Sequence, residues 1–198
     1  DLHSFPTRRS SDLGNSGNAF YRKMTEEKTP ECTEAARLED VVDISSFVKN
    51  GELEWDAPQG RWRIFRFGYS LTGKTNHPAT KEATGLEVDK MDPEAVKRYF
   101  HNYLHTYMEA TGDRLGKGGI EYLLTDSYEA GPQTWTGKMM EEFRRRKGYE
   151  LLKWLPALTG MVLNSSSDTE RFLFDWRMAI GEMIAEYHYN YQDRKSVV

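Results

Sequence analysis

The alternation of apolar and polar residues predicts one helix with particular clarity. Asp92 is placed to be its N-cap, and Pro93 follows at the first helical position. Apolar residues then recur at helical spacing as far as Gly112, which is placed to end the helix. The pattern therefore predicts an amphipathic helix from Pro93 to about residue 111.

Two more helices are expected in the second half of the chain. Thr136 is the expected cap of a helix over about 137–147, which is followed by a glycine. Ser167 and Glu170 have the spacing of a capping box, and a long apolar stripe follows them to about Tyr191. A short apolar stretch, 151–158, lies between these two helices and contains a proline.

Short strands are expected before and between the helices. Residues 40–47 begin as a strand, and 61–70 (RWRIFRFGYS) interleave arginines with large apolar residues. The run 120–124 is apolar except for Glu121 and turns polar abruptly at Thr125, which is typical of a buried parallel strand. Residues 71–90 form a long loop, and a loop of this length in a compact domain is usually functional.

Strands and helices alternate along the chain in the order that is typical of a βα protein. We therefore expect an α/β fold, namely a partial (β/α)8 TIM barrel that corresponds to roughly the first half of a complete one and is truncated. A complete barrel needs about 250 residues, more than the chain has. An open doubly wound sheet is the alternative, but the glycine-rich phosphate fingerprint of such folds is absent from the sequence.

The residues after the 120–124 run are the best candidates for chemistry. Asp126 and Glu129 follow the expected strand closely, with Tyr128 and Trp135 beside them. Strand ends carry the active sites of such folds, and two carboxylates with flat aromatic rings suit a sugar site. The alternative is that the carboxylates cap a helix or form ion pairs. Trp176 lies on an apolar helical stripe and is expected in the core.

Other charged residues are weaker candidates. Glu87 and Asp89 precede the first helix, where they could bind substrate hydroxyls or a cation, or simply cap the helix. His101 and His105 are four residues apart on that helix, but no third metal ligand is near them in sequence, so we expect them on the surface. The basic run 144–147 ends a helix, where cations favour the dipole, and is expected to be solvated.

Composition excludes several classes of protein. The 198 residues carry a formal net charge of −4, which argues against a nucleic-acid partner. No apolar run approaches the length of a membrane span, so no membrane partner is expected. Aromatic residues make up 13% of the chain, which argues against disorder. A single cysteine allows no internal disulfide.

Both ends of the chain resemble a translated sequencing adapter. Residues 7–13 can be encoded by ACA CGA CGC TCT TCC GAT CT. The reverse complement of that DNA, read one base in, encodes residues 193–198 as they stand. The same short DNA sequence, translated from opposite strands at the two ends, indicates an artefact of sequencing, as expected for a metagenomic fragment.

This interpretation divides the chain into four parts. Residues 1–13 and 193–198 are adapter-like and, as with tags and fusion scars, are not expected to contribute to the fold. Residues 14–52 are expected to be a linker and first strand region. Residues 53–192 are expected to be the partial catalytic barrel.

Several motifs together resemble glycoside hydrolase family 106, the α-L-rhamnosidases. The similarity runs from about Leu53 to Tyr191 and is carried by WRIFRFGYSLTG, PATKEATGLEVDKMDPEAV, LLTDSYEAGPQTWT, EEFRRRKGYELLKWLPALTG and TERFLFDWR. This resemblance implies a catalytic (β/α)8 barrel, inversion of the anomeric configuration and a calcium ion near the substrate. It implies that Glu129 is the general acid, and that the catalytic base lies beyond Tyr191. The calcium ligands are not placed by it.

The resemblance also implies what the protein acts on. We expect a fragment of an inverting α-L-rhamnosidase that cleaves terminal α-L-rhamnosyl linkages of plant or microbial oligosaccharides or polysaccharides. We expect it to be periplasmic or extracellular in a bacterium, and inactive without the missing remainder of its own chain. Asp126, Tyr128, Trp135, Glu87 and Asp89 are the expected substrate-binding residues. The alternatives are a non-catalytic carbohydrate-binding protein on a glycosidase scaffold and a different TIM-barrel glycosidase.

Overall fold

The computed structural model of the protein describes residues 35–114, 116–125 and 128–195. Within these ranges four α-helices and one pair of strands are found. In chain order they are β1 (Val48–Lys49), β2 (Glu52–Leu53), α1 (Pro93–Thr111), α2 (Met139–Lys147), α3 (Ser166–Ile184) and α4 (Asn190–Lys195). Short 3-10 turns cover Leu38–Asp40, Ser45–Phe47 and Leu152–Thr159, and a π-helical turn covers Ala185–Tyr189.

Helix α1 begins and ends as its sequence predicts. The Asp92 side chain accepts a hydrogen bond from the Glu94 backbone N–H at 3.0 Å, and Pro93 occupies the first turn. Gly112 ends the helix at φ +69°, in the left-handed conformation that an L side chain rarely adopts. Val96 and Phe100 lie on its buried face.

Helix α2 ends as predicted but begins differently. Gly148 takes the left-handed conformation and its N–H bonds to the Arg144 carbonyl. The prediction that Thr136 caps this helix is wrong. Lys138 precedes the first helical residue, and its side chain makes no capping hydrogen bond. Thr136 is instead buried, and its carbonyl accepts from the Met139 N–H at 3.1 Å.

The capping box of α3 lies two residues before the predicted pair. The Ser165 hydroxyl accepts from the Asp168 N–H at 3.0 Å and donates to the Asp168 carboxylate at 2.8 Å. The predicted Ser167–Glu170 pair is therefore wrong. The run of serines offers two overlapping pairs with the spacing of a capping box, Ser165–Asp168 and Ser167–Glu170. The earlier pair is favoured by Thr169, whose hydroxyl accepts from the buried Leu163 N–H at 2.9 Å.

The described residues contain one hairpin of paired strands, and isolated β-bridges join Ala36 to Leu163 and Thr75 to Leu86. Val48 pairs with Leu53 and Lys49 with Glu52, in antiparallel register. Asn50 and Gly51 connect the strands with φ of +52° and +85°, as a two-residue hairpin turn requires.

The predicted strands over 40–47, 61–70 and 120–124 do not form in the described structure. Tyr122 and Leu124 are 89% and 94% exposed, so the 120–124 run is not a buried strand. The physical reason is that a strand is stabilised by its neighbours, and these stretches lack paired strands beside them in the described residues. The mixed helix and strand content agrees with the α/β prediction in outline, while the truncated barrel is not confirmed.

The chain forms two compact units, each with its own buried residues. The first comprises Asp1–Phe65 and Glu150–Phe174, of which 35–65 and 150–174 are described. In it Trp154 stacks on the buried Phe172 at a centroid distance of 5.3 Å. Asn164 also accepts from the Leu38 N–H at 2.8 Å. The predicted domain boundaries at 13, 52 and 192 stay predictions.

The second unit comprises Arg66–Tyr149 and Asp175–Val198 and contains every candidate site residue named above that the structure describes. Its buried apolar residues come from α1, α2, α3 and the segments between them. They include Met91, Val96, Phe100, Met139, Phe143, Trp176 and Met183. The predicted core position of Trp176 is confirmed. Among the described residues, none of the helices is long and apolar enough to cross a bilayer.

Replacing the cap of α1 should loosen the start of that helix. We expect Asp92→Ala to remove the bond to the Glu94 N–H at a cost of about 0.5–2 kcal/mol. Amides of the first two turns should then exchange with deuterium roughly 2- to 30-fold faster. Asp92→Asn keeps the acceptor and is the matched control. Equal exchange in the alanine and asparagine variants would contradict the capping role.

Candidate functional site

Two stretches of the second unit are joined by one glutamine. The first stretch is Glu87–Met91, called here the acidic segment, and the second is Tyr128–Gln133, called the site loop. The Gln133 side chain donates from Nε2 to the Val88 carbonyl at 3.1 Å and accepts at Oε1 from the Lys90 N–H at 3.1 Å. Gln133 thus pairs with the acidic segment much as a neighbouring strand would. Its role was not predicted, since nothing in its local sequence indicates it.

A buried cation links the same two stretches. The Lys90 side chain is 8% exposed, and its Nζ donates to Glu87 Oε2 at 2.6 Å. The ammonium also lies 5.6 Å from the centroid of the Tyr128 ring, within reach of a cation–π contact. A buried charge is tolerated only when it is paired, so Lys90, Glu87 and Tyr128 depend on one another.

The two predicted carboxylates of the acidic segment have different partners. Glu87 is engaged by Lys90, while Asp89 Oδ1 accepts from the Met91 N–H at 2.9 Å. Asp89 therefore stabilises the turn that leads into α1, whereas the cap of that helix is Asp92. Both residues are only partly exposed. Their predicted contact with substrate stays a prediction.

Tyr128 lies close to the negative charges of this cluster. Burial raises the pKa of Tyr128 above its usual value, and the charges of Tyr189, Glu87 and Asp89 raise it further. The phenol therefore remains protonated and can donate a hydrogen bond at neutral pH. Tyr128 is 38% exposed, so its ring has one face on Lys90 while part of it is open to solvent.

His188 is the most deeply buried imidazole near this cluster among the described residues. Its Nε2 lies 3.0 Å from Gln192 Nε2, and Gln192 Oε1 accepts from the Thr125 hydroxyl. Burial lowers the pKa of His188 to about 4, and the positive charge of Lys90 lowers it as well. The imidazole is thus neutral at physiological pH. His188 was not predicted, although a polar residue within the last apolar stripe is a signal that could have indicated it.

Glu129, the predicted general acid, is placed on the solvent side of the site loop. Its carboxylate is 62% exposed, and Oε2 lies 3.8 Å from Nε2 of His77. His77 belongs to the long loop 71–90, whose length alone predicted a functional role. Asp126, the other predicted carboxylate, lies outside the described residues.

Trp135 forms part of a row of aromatic rings. Its ring stacks on Tyr69 at 6.0 Å with an interplanar angle of 25°, and it lies 6.0 Å from Trp176 on the other side. Tyr69 is 70% exposed and Trp176 is buried. The row therefore runs from the core to the solvent, with Trp135 partly accessible.

The remaining charged candidates have structural partners. His101 and His105 are exposed on α1, where their rings stack at 6.1 Å. The described residues contain no group of three His, Cys, Asp or Glu side chains able to hold a metal ion. The fully solvated face predicted for 144–147 is wrong in part, because Arg146 and Lys147 are largely buried. They form ion pairs with Glu142, Glu182 and Glu186.

Residues 13–196 match the sequence family described as alpha-L-rhamnosidase, glycoside hydrolase family 106. This chain belongs to glycoside hydrolase family 106. The resemblance inferred from DSYEAG and GLEVDK is thereby confirmed. The match includes residue 13 and residues 193–196, which belong to the adapter-like ends of the chain.

Two relatives are similar to this chain over about three quarters of its length. A rhamnosidase from Novosphingobium sp. PP1Y is 42% identical in sequence and superimposes with a TM-score of 0.70. That similarity covers 78% of this chain and 15% of the rhamnosidase. A protein of Formosa agariphila named "Putative beta-glucuronidase" is 40% identical over 152 residues, which are 76% of this chain and 13% of the relative. This chain therefore spans about one seventh of the length of these relatives.

Protonation of His188 should destabilise the folded chain at acidic pH. The folded pKa of about 4 is below the ordinary value of 6.5, so the unfolded chain binds this proton more readily. The stability contributed by the neutral imidazole is complete above pH 6.5 and is lost as the pH falls towards 4. We expect a loss on the order of 2 kcal/mol between pH 7 and 4.5.

This pH dependence can be measured by urea unfolding at both pH values. His188→Phe keeps a ring beside Phe100 and should reduce the loss of unfolding free energy between pH 7 and 4.5. His101→Phe, at an exposed position on α1, is the control. An unchanged loss in His188→Phe would exclude His188 as its source.

Proposed function

We propose that this chain contributes the general acid of an inverting α-L-rhamnosidase, and that Glu129 is that acid. The proposed substrates are terminal α-L-rhamnosyl linkages in plant or microbial glycans. The observation that carries the proposal is the family 106 match, which includes the DSYEAG motif and extends over residues 13–196. The exposed carboxylate of Glu129 is compatible with contact to a sugar, as an acid that protonates a bound glycoside must be.

The proposed reaction is a single displacement. Protonated Glu129 gives its proton to the glycosidic oxygen as the bond from that oxygen to the anomeric carbon breaks. A second carboxylate, about 6.5–9.5 Å from Glu129, takes a proton from water, and this water attacks the anomeric carbon from the opposite face of the sugar. We propose that this base lies outside the 198 residues. The alternative function is that of a carbohydrate-binding protein without catalysis. In that case Glu129→Gln would not change turnover.

The aromatic row beside the site loop supports a sugar ligand. Sugar rings present apolar C–H faces that pack against flat aromatic surfaces. Tyr69 and Trp135 are stacked nearly parallel, and Tyr69 is largely exposed. We propose that Tyr128 and Trp135, with Asp126, Glu87 and Asp89, contribute to the substrate site, with Glu87 acting through its pairing with Lys90.

We further propose that the chain is a portion of a (β/α)8 barrel whose remainder completes the site. Support comes from the exposure of Tyr122 and Leu124, which alternate with Leu123 as residues of a strand would. Exposed apolar residues of this kind are usually covered by a partner surface. A periplasmic or extracellular location in a bacterium belongs to the same proposal.

Calcium binding is also proposed, from the family resemblance. The described residues do not provide a group of three His, Cys, Asp or Glu side chains that could hold it. If calcium is needed only when the remaining chain is present, chelation should leave the stability of this chain unchanged.

Hydrolysis of a β-glucuronide is a second candidate, because the Formosa relative carries that name. A glucuronide has a carboxylate that needs a cation, whereas rhamnose has a methyl group at the same carbon. Lys90 is buried and paired with Glu87, so it is poorly placed to bind that carboxylate. Parallel assays with the aryl α-L-rhamnoside and the aryl β-glucuronide separate the two functions.

The 198-residue chain alone should not hydrolyse an aryl α-L-rhamnoside. The physical reason is that it is proposed to hold only one of the two carboxylates that inversion requires. The assay is release of nitrophenol by purified chain over hours, with the Novosphingobium rhamnosidase as the positive control. Turnover that survives repurification and disappears in Glu129→Gln would contradict the proposed location of the base.

Grafting the chain into its rhamnosidase relative tests the role of Glu129. Residues matched between the two proteins replace the corresponding segment of the Novosphingobium enzyme. Activity on an aryl α-L-rhamnoside is expected in the graft, and Glu129→Gln should lower turnover roughly 10²–10⁴-fold, because glutamine cannot donate the proton. The loss should be much smaller for a dinitrophenyl rhamnoside, whose leaving group needs little protonation.

The matched control in the graft is Glu121→Gln, at an exposed carboxylate in the neighbouring segment. If the graft does not fold, the glutamate aligned with Glu129 in the Novosphingobium enzyme receives the same substitution. Near-normal turnover of an oligosaccharide after either substitution would show that Glu129 is not the acid. Asp126 would then be the next candidate.

A further inference from the structure

The site loop is attached to Lys90 at both of its ends. At its start, the Tyr128 ring lies over the Lys90 ammonium, 5.6 Å from its centroid. At its end, the Gln133 side chain accepts from the Lys90 backbone N–H at 3.1 Å. Glu129 lies between these two attachments. One residue of the acidic segment therefore contacts both sides of the proposed acid.

The middle of the site loop is held as well. Ala130 is 4% exposed, whereas the side chain of Glu129 beside it is mostly in solvent. Gly131 follows at φ +72°, a left-handed conformation that turns the chain sharply. Tyr128 and Ala130 thus face the protein and Glu129 faces outward, towards His77, so the way the loop is fixed contributes to the direction of its side chain.

Lys90 is not placed to touch a substrate itself. Its side chain is almost completely buried, and the ammonium is already bonded to Glu87 at 2.6 Å. The Gln133 amide uses both of its ends on the backbone of the acidic segment. Any effect of these residues on a bound sugar must therefore pass through the site loop.

We propose that Lys90 and Gln133 are positioning residues that hold the site loop on the acidic segment and thereby direct Glu129 at the glycosidic oxygen. The proposal rests on the proposed function of Glu129 as general acid. A proton donor loses efficiency steeply with misplacement, because a shift of about 1 Å can cost roughly 10²-fold in rate. The attachment of the loop is consequently a determinant of catalysis and not only of folding.

The attachment itself can be tested on the 198-residue chain without any activity. Deuterium exchange of the Lys90 amide should be slow, because this N–H is bonded to Gln133. In Gln133→Ala it should become fast. Gln133→Glu keeps the acceptor for the Lys90 N–H but loses the donor to the Val88 carbonyl, so intermediate exchange is expected. Gln59→Ala, at an exposed glutamine elsewhere, is the control.

A second spectroscopic signature reports on the other end of the loop. The side-chain protons of Lys90 next to its ammonium should be shifted upfield by the Tyr128 ring. The shift should disappear in Tyr128→Leu and persist in Glu129→Gln. Fast exchange of the Lys90 amide together with unshifted Lys90 protons in the unsubstituted chain would overturn the proposal.

The effect on catalysis is tested in the graft with two leaving groups. Gln133→Ala should lower kcat for a poorly leaving alcohol about 10- to 100-fold, with little change in KM, and should leave the dinitrophenyl substrate nearly unaffected. A general loss of folding would lower both rates equally, and that result would contradict a positioning role. Lys90→Met should give the same selectivity as Gln133→Ala, and Lys90→Arg, which keeps the cation, should partly restore it.

The outcomes also separate this inference from the proposed function. If Glu129→Gln shows no dependence on the leaving group while the Lys90 amide is protected, then the role of Glu129 fails and the attachment stands. If Glu129→Gln shows that dependence and Gln133→Ala does not, then the positioning role fails and the proposed function stands.

Discussion

The buried charge of Lys90 is the constraint on which the candidate site depends. Removing an ammonium group from water costs several kcal/mol unless nearby groups compensate for it. Here the compensation comes from the Glu87 carboxylate and the face of the Tyr128 ring. Glu87 belongs to the same segment as Lys90 and Tyr128 to the site loop, so the ammonium has both partners only when the two stretches are together. Burial is the main cause that lowers the pKa of His188, and the positive charge of Lys90 lowers it further, so the imidazole beside this cluster stays neutral.

A second network of charges stabilises the helices around this site. Glu142 and Arg146 on α2 are largely buried, and Arg146 also reaches Glu186 in the π-helical turn. Lys147 bonds to Glu182 of α3 at 2.7 Å. These pairs fix the end of α2 against the helix that carries His188. The packing of Phe143 against Trp176 continues the same contact with apolar groups, at a centroid distance of 6.4 Å.

Sequence alone predicted those features that depend on neighbours along the chain. The cap at Asp92 and the left-handed glycines at 112 and 148 need only a few adjacent residues, and all three are found. Strands depend on partners that are distant in sequence, and the runs 61–70 and 120–124 do not become strands. The motifs around Glu129 were enough to indicate the family. Gln133 was missed because its partners lie more than forty residues away, beyond the reach of any local pattern.

The π-helical turn Ala185–Tyr189 has a consequence for the phase of the helix that follows. Each residue of an α-helix advances the side-chain direction by about 100°, since 3.6 residues complete a turn. A π turn accommodates one extra residue, so α4 continues with its faces rotated by about that angle relative to an uninterrupted α3. His188 inside the turn and Gln192 after it are four residues apart, so they lie on one face, and their side chains meet at 3.0 Å. The buried face of this continuous helical stretch therefore changes at the π-helical turn. A strict hydrophobic repeat of 3.6 residues cannot describe α3 and α4 together.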